Sequence, residues 1–272
     1  MAANKGGIRP DLASLCGLVL SVGGILGGLI LEKGSVRDVT QFTAALIVIG
    51  GTMGAVMLNT PSATLKSAIA QLKNVLFERA HDASALIDEI IVYATKARKQ
   101  GIVSLEGDAI NISDPFLQKA INLAVDGTDM DDLKAMMELE IDLAEQTSED
   151  AAKVFDSGGG YAPTIGIIGA VLGLIQVMKN LANLEEVGHG IAVAFVATVY
   201  GVGLANILLL PAGGKIRARA AKERQLREIA LLGVLGIIEG SNPKLIRAKL
   251  NAYLPGAQAA SNSAKMPATR AA

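Results

Sequence analysis

Four stretches of this chain run for about the length a bilayer requires, ~20 residues, without one charged side chain. They are Leu12–Leu31, Val39–Leu65 (apolar centre Phe42–Leu58), Ser157–Met178 and Val187–Gly214. A lone strand in lipid cannot satisfy its own amides, so each stretch is read as a helix. The fold class this predicts is all-α and integral to a membrane, with four transmembrane helices in two hairpins. A helical cytoplasmic insert separates the hairpins, and a cytoplasmic C-terminal helical tail follows them.

Composition agrees with that reading. Hydrophobic residues make up 51% and charged residues 19%, with 30 Gly and no Trp, a profile of membrane helices rather than of a soluble core. Lys5 and Arg9 before the first stretch look like the n-region of a signal peptide. The apolar run is long, however, and no A-x-A site closes it, so it is expected to be retained. The single Cys16 excludes an internal disulfide. His81 and His189 lie too far apart in sequence to suggest zinc, so no metal or cofactor is expected. Without a convergent His/Asp/Glu set near the spans, an enzyme is not expected either. Basic residues are not interleaved with aromatics, which argues against nucleic acid.

Flanking charge sets the orientation. Lys66, Lys73 and Arg79 follow the second span, and Lys215, Arg217, Arg219, Lys222, Arg224 and Arg227 follow the fourth. The connectors Glu32–Asp38 and Lys179–Glu186 are short and mixed or acidic. Both termini are therefore expected in the cytoplasm of a multi-pass inner-membrane protein. The organisation predicted is an N-terminal hairpin over 1–60 (spans 12–31 and 42–58) and an insert over 61–156. A second hairpin over 157–214 (spans 157–178 and 189–211) leads to cytoplasmic helices over 215–255 and a disordered tail over 256–272. Within the insert, helical spacing recurs at Leu72, Val75, Leu76 and at Leu86, Ile87, Ile90, Ile91. Asp114-Pro115 reads as an N-cap followed by N1 proline, and Asp129–Phe155 as a separate acidic helix. Gly240-Ser241-Asn242-Pro243 ends the helix continuing from span four, and a short helix, Pro243–Tyr253, follows.

Between Pro61 and Asp156 there are 9 Lys+Arg against 18 Asp+Glu, whereas from Lys215 onward there are 11 against 3. Two such segments are suited to attract one another, or to face partners of opposite sign.

Small residues four apart (Gly23/Gly27, Gly24/Gly28, Gly50/Gly54, Gly169/Gly173 and Ala197/Gly201/Ala205) permit close helix approach, and suggest an assembly of several copies. Polar side chains within the last two spans are few: Tyr161, Thr164, Thr198, Tyr200 and Asn206. A lone Thr is most often satisfied by the carbonyl one turn earlier. Pro163 near a helix start is cheap to accommodate, and Pro211 is expected to end or kink span four. No Asp, Glu, Lys or Arg lies within any span. A proton relay through lipid needs a titratable group, so if this chain conducts protons the carboxylate must come from another chain.

The order of two hairpins around an insert resembles the flagellar stator A subunits, the MotA/PomA family. The strings GGGYAPTIGIIGAVLGL (Gly158–Leu174), GHGIAVAFVATVYGVGLANILLLPAGGKI (Gly188–Ile216) and EGSNPKLIRAKLNAYLP (Glu239–Pro255) carry the same likeness. The resemblance covers about Leu12 to Pro255. It implies a proton channel shared with B-type subunits that supply an intramembrane Asp and a peptidoglycan anchor. Several A subunits, thought to be five, would surround a B dimer, and their inserts would push on a rotor switch-complex protein to drive swimming. By the same resemblance Pro163 and Pro211 are the coupling prolines, Thr198 is the polar position near the partner Asp, and Thr164 and Tyr200 line the same path. Arg98, Lys99, Glu106 and Glu140 fall on rotor-facing charges. Sodium-type relatives carry hydroxyls where this chain has Ala170 and Ala197, which favours protons as the ion. The ExbB/TolQ energy transducers share the core of spans three and four, but usually lack a complete first hairpin; they are the alternative.

Overall fold

A computed structural model of the chain describes residues 8–79 and 82–254. The tail expected to be disordered over 256–272, the first seven residues and His81 lie outside the described residues. Among the described residues, four helices are long and apolar enough to cross a membrane. Apart from a two-stranded ladder, Ile8–Pro10 with Phe77–Arg79, the described secondary structure is helical.

Local sequence starts the helices. Asp11 caps span one by accepting the Ser14 N–H at 3.1 Å. Ser35 and Asp38 form a capping box at the first hairpin connector. Asp114 accepts the Leu117 N–H at 2.8 Å with Pro115 at N1, as its sequence predicts. Asn183 and Asn242 cap the helices that begin at Leu184 and Pro243. Each such cap contributes about 1 kcal/mol.

The expected place of Pro163 is corrected, and of the two expectations for Pro211 the ending is ruled out. The acidic helix and span three form one continuous helix, Met130–Lys179, with Pro163 in its interior rather than near a start. Pro211 does not end span four either. Helix Leu184–Gly203 passes through a π-helical turn, Leu204–Leu209, and helix Leu210–Ile238 continues from it. The wider turn directly before Pro211 offers a way to accept a ring that lacks an N–H and would crowd an ordinary helical turn.

The described residues divide into two compact units. One takes 79–145 and 220–254. Its core contains Ile87, Ile90, Leu105, Leu117, Ile121, Leu133, Met137, Ile229, Val234 and Leu250, each at most 1% exposed. Their i, i+3 and i+4 spacings put one face of each helix inward, and each large side chain contributes ~1.5–3 kcal/mol on burial. Here the acidic insert and the basic tail meet. Arg224 bonds Asp142, Glu145 and Glu228, and Arg247 bonds Asp88. The Arg227 guanidinium lies 5.5 Å from the Phe116 ring centroid, a cation–π distance. Gly101, at φ +83°, ends helix Ala83–Gln100 in a backbone conformation few other residues adopt.

The other unit takes 8–78 and 146–219, including the four apolar stretches. Its cores are small: Ala44, Val48, Val196 and Ala197 in one cluster, and Val56, Ala68, Ala151 and Val154 in another. Span one buries none of its residues within the chain. Leu12, Val19 and Leu20 are about 70% exposed, which suits lipid rather than water.

Candidate functional site

Span three and span four meet over glycine. A Cβ placed on Gly173 would fall 2.7 Å from the Gly190 carbonyl oxygen, and one on Gly166 would fall 3.0 Å from that of Ala197. Gly169 meets the Ala197 methyl, and Gly51 of span two meets the Ile165 side chain. Backbones this close exclude any larger residue, so the small-xxx-small spacing in these spans is an intrachain contact. By contrast, a Cβ on Gly23, Gly24, Gly27, Gly28, Gly50 or Gly54 would meet nothing within 4 Å among the described residues.

This contact sorts the candidate residues. Thr164 is exposed, and its hydroxyl donates to the Tyr161 carbonyl at 2.8 Å. Thr198 is half-buried and donates to the Ala194 carbonyl at 3.2 Å. Both hydroxyls keep acceptor capacity. The Tyr200 hydroxyl instead turns into the chain, donating to the Val39 carbonyl at 2.6 Å and accepting the Gln41 N–H at 3.2 Å. It braces the entry to span two against span four.

Ala170 and Ala197 differ in the same way. Ala170 is half-buried, whereas Ala197 is wholly enclosed by Gly169 and the start of span two. A hydroxyl at 197 would point into the protomer, so of these two positions only Ala170 borders the surface. Pro163 is half-buried and Pro211 exposed.

The charges expected to face a rotor lie in the other unit. Arg98 and Lys99 end helix Ala83–Gln100, Glu106 opens the short helix Glu106–Ala109, and all three are exposed. Glu140 is paired with Lys119.

Two features had weaker sequence signals. Asp11 is more than a cap. Its side chain, 8% exposed, also takes ion pairs from Lys215 and from Arg219, the latter at 2.7 Å. Arg219 donates as well to the Phe77 carbonyl, and the Asp11 N–H donates to that of Leu76 at 2.8 Å. The Lys215 ammonium and then the Ser14 N–H hold the Asp11 carboxyl well below its ordinary value, against the opposing effect of burial, with Arg219 adding to the lowering. An Asp preceding an apolar run could have signalled the cap, but nothing local could have signalled the clasp. The second feature is Thr52 of span two, 1% exposed, whose hydroxyl has no hydrogen-bond partner among the described residues. Beyond the hydrophobic stretch, Arg217 joins Asp156 and Glu149, which together push its pKa further up.

Comparison with known proteins gives this arrangement a family. Residues 108–229 match the model of the MotA/TolQ/ExbB proton channel family, and residues 15–101 match that of the motility protein A N-terminal region. Motility protein A of Bacillus subtilis is 34% identical over 90% of this chain and 91% of its own length. Chemotaxis protein PomA of Vibrio alginolyticus is 32% identical over 90% of this chain and 95% of its own. Among solved structures, the C. jejuni MotAB structure has a chain that superposes with a TM-score of 0.86 at 32% identity, covering 90% of this chain and 96% of that one. The flagellar MotAB stator complex of Bacillus subtilis gives 0.84 at 32% identity, covering 92% and 98%.

Proposed function

This chain belongs to the motility protein A family, and on that premise we propose how it works. It is a stator subunit of the flagellar motor, a multi-pass membrane protein that acts with a B-type partner. The observation that carries the mechanism is an absence: the four stretches hold no Asp, Glu, Lys or Arg, and His189 sits only at the edge of the fourth, so the titrating carboxylate of the path belongs to the partner.

In our reading several copies, five by analogy with the family, surround a partner dimer, with spans 12–31, 42–58, 157–178 and 189–211 in the inner membrane and both termini in the cytoplasm. Spans three and four present Thr164 and Thr198 toward the partner carboxylate, while Tyr200 holds the hairpin that supports them. The absence of a hydroxyl at Ala170 supports protons as the ion, since Na⁺ needs several oxygen ligands. Protonation of the partner carboxylate removes a charge from the interface and shifts which contacts are favoured there. Pro163 and Pro211, each inside a helical run, are the points where that shift is passed along the helices. Arg98, Lys99, Glu106 and Glu140 then meet the rotor, where exposed charges steer and select more than they stabilise. The complete first hairpin supports this reading over an ExbB/TolQ-type transducer.

The test is proton flux in vesicles holding this chain alone, or with a co-expressed one-span partner carrying an intramembrane Asp. Flux is expected only with both chains. Flux from this chain alone would overturn the two-chain mechanism.

A further inference from the structure

Span four divides sharply by face. Gly190, Ala194, Ala197, Gly201 and Ala205 turn inward, while Ile191, Phe195, Val199 and Val202 are exposed. Asn206 continues the exposed row. It lies nine residues before Lys215, about 14 Å along a helix, and its short side chain cannot reach headgroups as Gln176, three residues from Lys179, can.

Asn206 is under-satisfied twice. Its carboxamide makes one bond, donating to the Val202 carbonyl at 3.0 Å. One N–H and the Oδ1 are left over. Its main-chain carbonyl also loses both of the donors a helix would offer. The Leu210 N–H goes back to the Ala205 carbonyl across the π-helical turn, and the next residue, Pro211, has no N–H. An amide moved into hydrocarbon without compensation is strongly disfavoured. Exposed hydroxyls such as that of Ser21, which donates to the Gly17 carbonyl at 2.8 Å, avoid most of that cost. Lipid is thus a poor neighbour for this part of span four, and π-helical turns often mark functional positions.

We propose that Asn206, through its Oδ1, its free N–H and its main-chain carbonyl, holds a water molecule that carries protons toward the cytoplasmic end of the ion path. Two acceptors and one donor at one residue suit a water molecule, which needs two to four polar partners. The π-helical turn frees the carbonyl, and the carboxamide beside it supplies the complementary donor. The proposal rests on the reading of spans three and four as the wall of a proton path, which it extends past Thr198.

The experiment uses the full chain with its one-span partner in inside-out vesicles, in a Cys16→Ser background. Single cysteines at Thr164, Thr198, Asn206 and the span-one position Leu20 are treated with a membrane-impermeant cationic thiosulfonate. Asn206→Cys is expected to label faster than Leu20→Cys by on the order of tenfold or more, because only a hydrated thiol forms reactive thiolate. Labelling at Thr164 or Thr198 without labelling at Asn206 would overturn the proposal and leave the path reading intact. Labelling at none of the three would overturn the path reading itself. A second readout is proton flux: Asn206→Leu should lower it about tenfold, the rate equivalent of one lost hydrogen bond. Asn206→Ser should retain most of it, and both variants should still co-purify with the partner. Unchanged flux in a co-purifying Asn206→Leu complex would also overturn the proposal.

Discussion

Gly201 of span four faces the Ala162 carbonyl of span three so closely that a Cβ on the glycine would fall 2.5 Å from the oxygen. The same position would lie 3.0 Å from the Gly166 Cα. This crossing fixes which faces of the two spans are inside the protomer and which remain for a partner.

Gly201→Ala should therefore force the spans apart. Overpacking at a rigid backbone contact costs about 1–3 kcal/mol, and thermal unfolding in detergent measures it. Gly54→Ala is the control, since nothing lies within 4 Å of that position. Equal melting temperatures for the two variants would sink the close-contact account.

Asp11→Asn should weaken the clasp on Lys215 and Arg219. Both cations are partly exposed, at 31% and 19%, so the expected loss at neutral pH is about 2 kcal/mol rather than the full cost of a buried pair. The sign follows from the lowered folded-state pKa of Asp11. Its contribution is complete above the ordinary carboxylate value and is lost as pH falls through the lower, folded one. Denaturant titrations of both proteins should converge only in strong acid; convergence already at pH 6 would contradict the assignment.

Thr52→Val should be neutral or stabilising by ~1 kcal/mol, because it replaces an unpartnered buried hydroxyl with a methyl of similar shape. A clear loss of thermal stability would mean that the hydroxyl has a partner in the assembled protein.

Reversing two exposed charges together, Arg98→Glu with Glu106→Arg, should reduce torque in tethered cells while insertion and partner co-purification stay normal. Exposed charges contribute little to folding, so the effect reports recognition. Full torque in the doubly reversed protein would remove these residues from the rotor contact.

Most of the helical architecture was legible beforehand. Asp114-Pro115, Asn242-Pro243 and the unbroken apolar runs act through bonds and hydration within a few residues of themselves. Proline was the exception. Pro163 and Pro211 both lie inside helical runs, the latter just after a π-helical turn, which a local rule cannot foresee. Two of the candidate path residues, Ala197 and Tyr200, proved to face inward for the same reason. Periodicity tells that a helix has two faces, but not which one a neighbouring glycine will occupy.

The sequence by itself determined the number of spans, the Asp114 cap, and the absence of Asp, Glu, Lys and Arg inside the spans. Each follows from composition along a line. Tertiary structure alone decided which acid meets which base, joining Asp11 to Lys215 and Asp142 to Arg224. It also decided which small residues touch and which polar groups are left without partners. Those outcomes depend on distances between segments far apart in the chain, and only the folded backbone sets them.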